Sequence, residues 1–169
     1  DHQLIYRAIG ELAERNRPFD AVTLGEWFES QGHMELVAGG AYLVELAYGA
    51  LVSAGHLSRA LGDDNQAALL QSRAAVLRSA IHQYFAADVE GFATYRYYDG
   101  NTKLRAWIAL PLVMGLNEQK AGTLAALLSP ALWSENGIYT ESGDKTFWDR
   151  ATLYAFRGIF VAGETDTAM

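Results

Sequence analysis

The chain reads as an all-α protein built from helical hairpins, and three features of its sequence predict that class. Apolar residues recur three and four apart over most of the length, capping signals precede several of those stretches, and Gly or Pro punctuates the gaps. The first helix covers His2 to Arg15, because Leu4, Ile5, Ala8, Ile9 and Leu12 make one apolar stripe, and it ends before Pro18. Thr23 with Glu26 forms a capping box, so a second, short helix starts there, buries Leu24, Trp27 and Phe28, and ends at Gln31-Gly32. Gly39-Gly40 opens the next segment, Ala41 to Leu61, whose apolar spacing is helical throughout. Gly49 and Gly55 each weaken that helix by roughly 1 kcal/mol relative to Ala, which leaves room for a break near Ala47.

Asp63 with Gln66 caps the longest helical signal, in which Ala67, Leu70, Ala74, Leu77, Ile81 and Tyr84 sit three or four apart. The segment Gly91 to Asn101 is rich in strand-favouring aromatics between turn residues and reads as an extended loop or a short hairpin. A helix from Lys103 has to tolerate Pro111. Asn117 caps a helix through Leu128, Ser129-Pro130 stops it, and Asn136-Gly137 marks a turn before a final helix at about Trp148 to Ala162.

A chain of 169 residues, 50% of them hydrophobic, is long enough to bury a substantial core. Its best apolar run, Trp107 to Leu116, is interrupted by Pro111 and Gly115, so no membrane span is predicted. The start, Asp1-His2-Gln3, has neither an initiator Met nor an apolar leader, which suggests a fragment or trimmed chain and not a secretory precursor. The lack of Cys excludes a disulfide frame and a thiolate metal site, and fits a cytoplasmic location without excluding export. A net charge of -7 argues against direct nucleic-acid binding, which depends on clustered Lys and Arg. His2, His33, His56 and His82 lack metal-ligand spacing, so no metal or other cofactor is predicted. Ser79 and Ser142 have no sign of a paired base, and neither a G-x-S-x-G elbow nor a G-x-x-x-x-G-K-[ST] phosphate loop occurs.

Two resemblances meet near Ala47. His2-Gln3-Leu4-Ile5-Tyr6, Arg17 through Leu24 and Val37 through Leu46 together resemble the N-terminal domain of the replicative hexameric DNA helicase. The resemblance implies a small helical collar that makes subunit and primase or loader contacts, with nucleotide hydrolysis left to a separate motor. The family's usual Thr-Pro-Ser continuation after Leu46 is missing. Leu4, Ile9, Trp27, Phe28, Tyr42 and Leu46 also read simply as the core of a helical miniature domain.

From Tyr48 onward the chain resembles part of a six-hairpin glycosidase of the trehalase-like or glycogen-debranching-like group. The residues that carry this are Ala74 to Ile81, Thr94 to Asn101, Leu110 to Gly115, and Phe147-Trp148-Asp149-Arg150 running into Leu153 to Gly158. The resemblance implies a partial (α/α)6 barrel segment, residues 48-169, preceded by a small helical hairpin segment, residues 1-47. It places the catalytic acid before this segment and the base after it. Glycoside hydrolysis needs two carboxyl groups roughly 5 to 9.5 Å apart, so the segment should not hydrolyse a sugar on its own.

Asp88, Glu90, Asp99, Glu135, Glu141 and Asp144 read as turn or cap residues. Asp149 is the one candidate catalytic carboxylate. Trp148, Asp149 and Arg150 combine a stacking surface, an acceptor and a fork of donors suited to a sugar, where the family more commonly has Trp-Arg-Gly-Pro. An Asp149-Arg150 pair that only caps and solvates the last helix fits the residues equally well. Tyr97 and Trp107, with Tyr95 and Tyr98, are further candidates for a carbohydrate cleft, although ordinary aromatics of a helical chain would look the same. The expected function is therefore a fragment of a carbohydrate-active glycoside hydrolase lacking its acid/base pair. The alternative is a helicase N-terminal-like interaction module. The expected partners are a carbohydrate ligand and a second copy of the chain docked through apolar helix faces, with no nucleic acid and no membrane.

Overall fold

The computed structural model describes residues 2–17, 21–32 and 41–168. Pro18, Gly39-Gly40 and His33 lie outside the described residues. Helix α1 spans His2–Glu14 and α2 spans Ala21–Ser30. Ala8 and Leu12 from α1 meet Leu24, Trp27 and Phe28 from α2 in a first core, with Leu4, Ile5 and Ile9 packed against it. Thr23 lies inside α2 and is buried, so the capping box does not mark where this helix begins. The indole N–H of Trp27 donates to Glu11 Oε2 at 3.1 Å, which satisfies the one polar atom that this large side chain brings into the interface.

Helix α3 runs without interruption from Ala41–Ala60, through the position where a break had room to occur. Its glycines serve close approach. A Cβ on Gly55 would stand 3.6 Å from Gln71 Cγ and 3.7 Å from the Ala67 carbonyl oxygen, and one on Gly49 would strike the Met114 sulfur. Helix α4, Asp64–Phe85, folds back on α3 and is capped as the sequence predicts, with Asp63 Oδ1 accepting the Gln66 N–H at 2.9 Å. Ala67, Ala74 and Ile81 are buried along it, and the stripe ends on Phe85 while Tyr84 faces solvent. Ala41 and Tyr48 join Ala74, Ile81, Phe85, Tyr95 and Leu116 in a second core.

The all-α expectation requires correction, because two small antiparallel sheets interrupt the helices. Strands β1, Ala86–Val89, and β2, Phe92–Tyr95, pair with Val89 opposite Phe92. Their two-residue turn puts Glu90 at φ 53° and Gly91 at φ 85°, the doubly left-handed geometry whose twist matches that of paired strands. Asp88 Oδ1 accepts the Gly91 N–H at 2.9 Å and fixes the turn. The second sheet is β3-β4-β5, from Trp133–Ser134, Gly137–Glu141 and Asp144–Phe147. Glu141 draws in the segment expected to be a helix from Lys103. It pairs with Lys103 Nζ at 3.1 Å and Arg105 Nη2 at 2.7 Å, and Arg105 forms a bridge to β4.

A 3-10 turn, Ala106–Ile108, leads into α5, Ala109–Val113, where Pro111 sits in the first turn and so removes no intrahelical hydrogen bond. Helix α6 begins at Lys120, later than an Asn117 cap would place it, and ends at Leu127. Helix α7 spans Asp149–Val161 and a short α8 follows at Thr165–Ala168. Leu104, Leu112, Leu127, Leu132, Ile138 and Ile159 form the third and largest core. No helix among the described residues is long and apolar enough to cross a membrane.

Gly122 on α6 lies against β2, where an added Cβ would stand 2.7 Å from the Ala93 carbonyl carbon. Gly10 on α1 has nothing within 4 Å. Gly122→Ala should therefore cost about 1–3 kcal/mol, because a backbone atom cannot yield as a side chain can. Gly10→Ala should instead stabilise by about 0.5–1 kcal/mol through helix propensity. Urea unfolding of the two variants checks both signs.

Candidate functional site

The site grows from α3. Tyr42 and Glu45 lie one turn apart and, with Ala41, look toward the segment that leaves β2 and the 3-10 turn. There Tyr42, Glu45, Tyr95, Arg96, Tyr97 and Trp107 line a cavity of ≈ 10 Å³, enough for about one water. The rings form a connected cluster. Tyr42 and Trp107 are 6.0 Å apart edge to face, and Trp107 lies 5.7 Å from Tyr154 on α7. The Arg150 guanidinium stands over Trp107 at 5.4 Å, and Arg105 stands over Tyr97 at 5.1 Å. Arg150 is four residues before Tyr154, so one face of α7 supplies both groups.

Glu45 is the unusual member, a carboxyl only 4% exposed. Among the described residues no cation forms an ion pair with it, and burial holds its pKa well above the ordinary carboxylate value. Burial pushes the Tyr97 hydroxyl up to about 12 and raises that of Tyr95, where the nearby Glu118 and Glu45 charges add to the effect. Tyr42 is raised for the same first reason, burial.

Of the residues singled out from sequence, Tyr97 and Trp107 line this cavity together, and Arg150 reaches it from outside by stacking on Trp107. Trp148 and Asp149 stand apart. With Phe147 and Arg150 they line a separate, shallow and open depression of ≈ 450 Å³. Asp149 is the first residue of α7, where a negative charge meets the positive end of the helix dipole. The cavity between Tyr97 and Trp107 is too small for a sugar ring, whereas the depression beside Trp148 is of ligand size.

Glu45, Tyr42, Arg105 and Tyr154 were not singled out from sequence as site residues. Glu45 left a signal, because Ala41, Tyr48 and Val52 share its helical face and an acid on an apolar face is an anomaly. Among the described residues no cluster of three His, Asp or Glu is placed to hold a metal ion.

Glu45 gives stability a definite pH dependence. Below its ordinary value of 4.5 the carboxyl is neutral in folded and unfolded chains alike, so its titration takes nothing from stability there. As pH rises from 4.5 toward the raised folded value, the unfolded chain ionises first and stability falls. Glu45→Gln should remove that loss, so that its unfolding midpoint exceeds the wild-type value by a margin that widens as the pH rises above 4.5. Paired denaturation curves at several pH values measure that margin.

Comparison with known families identifies the part of the chain that supports this site's first wall. Residues 1–60 match the family model described as the DnaB-like helicase N terminal domain. The match continues past residue 47 to the last residue of α3, and it gives no support to a glycosidase barrel segment.

Proposed function

We propose that the chain works as a protein–protein interaction module of the helicase N-terminal type, and not as a catalyst. The family match over residues 1–60 carries this reading, since it coincides with the three helices that share the first core. The helicase collar resemblance supplies the partner class: another subunit, a primase or a loader. Tyr6 is a fitting contact residue, 76% exposed on α1 opposite the buried Ala8 and Leu12, and exposed Tyr is enriched among residues that carry binding energy. The net charge of -7 favours a protein partner over a DNA backbone.

A second reading rests on one observation, the open depression of ≈ 450 Å³ with Phe147, Trp148, Asp149 and Arg150 on its wall. Trp148 is 50% exposed there and offers a ring on which a sugar could stack. With Asp149 as the one carboxylate lining it, such a site would bind carbohydrate without hydrolysing it.

Calorimetric titration of the chain with a replicative primase or a helicase loader tests the first reading, with light scattering for self-association. One of these partners should bind, and Tyr6→Ala should weaken that complex about tenfold, roughly 1.4 kcal/mol, without lowering the unfolding midpoint. Absence of binding to primase, loader and a second copy would contradict the proposal.

A further inference from the structure

The cavity beneath Tyr42 and Trp107 is lined by one carboxyl, that of Glu45, 4% exposed, and one guanidinium, that of Arg96, and among the described residues no ion pair joins the two. Arg96 donates to the Tyr84 carbonyl at 2.6 Å and pairs with Asp99 at 2.6 Å. Arg105 pairs with Glu141 at 2.7 Å. Arg150 lies over Trp107 at 5.4 Å, near enough to Tyr42 for its charge to act on that hydroxyl. The wall rings are of a kind that cations already use here, Arg150 on Trp107 and Arg105 on Tyr97. A buried carboxyl among such rings attracts a cation and repels an anion, more strongly than the same groups would in water.

Size narrows the class. A volume of ≈ 10 Å³ admits a group about as large as one water. An –NH3⁺ head is of that size, whereas a quaternary ammonium is too bulky. A hard divalent metal would need several oxygen ligands, and the described residues gather no such set.

We propose that the cavity lined by Tyr42, Glu45, Tyr97 and Trp107 is a binding site for a primary alkylammonium group, with the Glu45 carboxylate as counter-charge and the aromatic residues as walls. The inference is independent of the helicase-type and carbohydrate readings. The titratable and charged groups facing Glu45 are Tyr42 on its own helix, Tyr95 on β2, and Arg96 and Tyr97 after it. Behind these stand Arg105 at Tyr97, Arg150 at Trp107, and Glu118 and His82 at Tyr95. Since burial favours the neutral Glu45 carboxyl, capture of an ammonium at low pH expels its proton. Affinity should therefore rise with pH, by up to about tenfold per pH unit while the free site remains protonated.

The test is an NMR titration of the isotope-labelled full chain with methylammonium chloride, with tetramethylammonium chloride and potassium chloride as size and salt controls. Methylammonium should shift the Trp107 indole N–H saturably, and more tightly as the pH is raised from Glu45's ordinary value of 4.5. Glu45→Gln, a neutral isostere relieved of the burial cost, should fold and bind at least about tenfold more weakly. A second probe, the side chain of N-acetyl-lysine methylamide, separates the sources: binding means that a protein-borne lysine can enter, and exclusion leaves a small free amine as the ligand. No saturable shift with methylammonium, equal binding by tetramethylammonium, or unchanged affinity in a folded Glu45→Gln variant would overturn the proposal. Should that variant fail to fold, a wild-type affinity independent of pH would overturn it equally.

Discussion

Helix α3 has to bury two sides at once, and the rest of the structure depends on that constraint. Leu43 projects into the first core with Leu12 and Phe28, while Ala41, Val44, Tyr48, Leu51 and Val52 belong to the second. Magnitudes explain why the helix survives its glycines. Gly49 and Gly55 cost roughly 1 kcal/mol each in propensity, whereas burying a single large apolar side chain recovers about 1.5–3 kcal/mol. The same glycines allow α4 and Met114 to approach the helix closely, so the positions that weaken the isolated helix strengthen it in place.

The candidate site is a by-product of that spine. Tyr42 and Glu45 leave α3 between the directions of the two cores, and β2, the 3-10 turn and α7 close over them with Tyr95, Tyr97, Trp107 and Tyr154. An acid at such a position costs stability at neutral pH, because the unfolded chain ionises it more readily than the fold does. Arg105 and Arg150 stand over the wall rings of Tyr97 and Trp107, at 5.1 and 5.4 Å.

Helix periodicity was legible in the residues, as was the cap at Asp63, whereas those expected at Thr23 and Asn117 do not mark helix starts. The Leu4 to Leu12 stripe, the Asp63 cap and the Ala67 to Ile81 face all appear in the structure, because each is a local pattern with a local cause. Of the strands only β2 fell within a segment read as a possible hairpin, Gly91 to Asn101, and the others were not legible. β1 has the sequence Ala-Ala-Asp-Val, which extends a helix as readily as it forms a strand, and its pairing depends on a non-Gly residue, Glu90, in the left-handed region. What ties Lys103 and Arg105 to the three-stranded sheet is Glu141, 38 and 36 residues away, a pairing that no local pattern reveals. Tyr97 and Trp107 were recognisable as aromatic candidates, but their common focus on Glu45 required the fold to bring α3 against β2.

Because one helix belongs to two cores, the family-matched residues and those that follow should unfold together. Amide hydrogen exchange across Tyr48 to Gly55 measures this most directly. A single continuous spine predicts strong, uniform protection there, equal to that of the α4 amides around Ala74 and Ile81. Fast exchange at those residues, with residues 3–46 and 56–166 unfolding in separate steps, would contradict it.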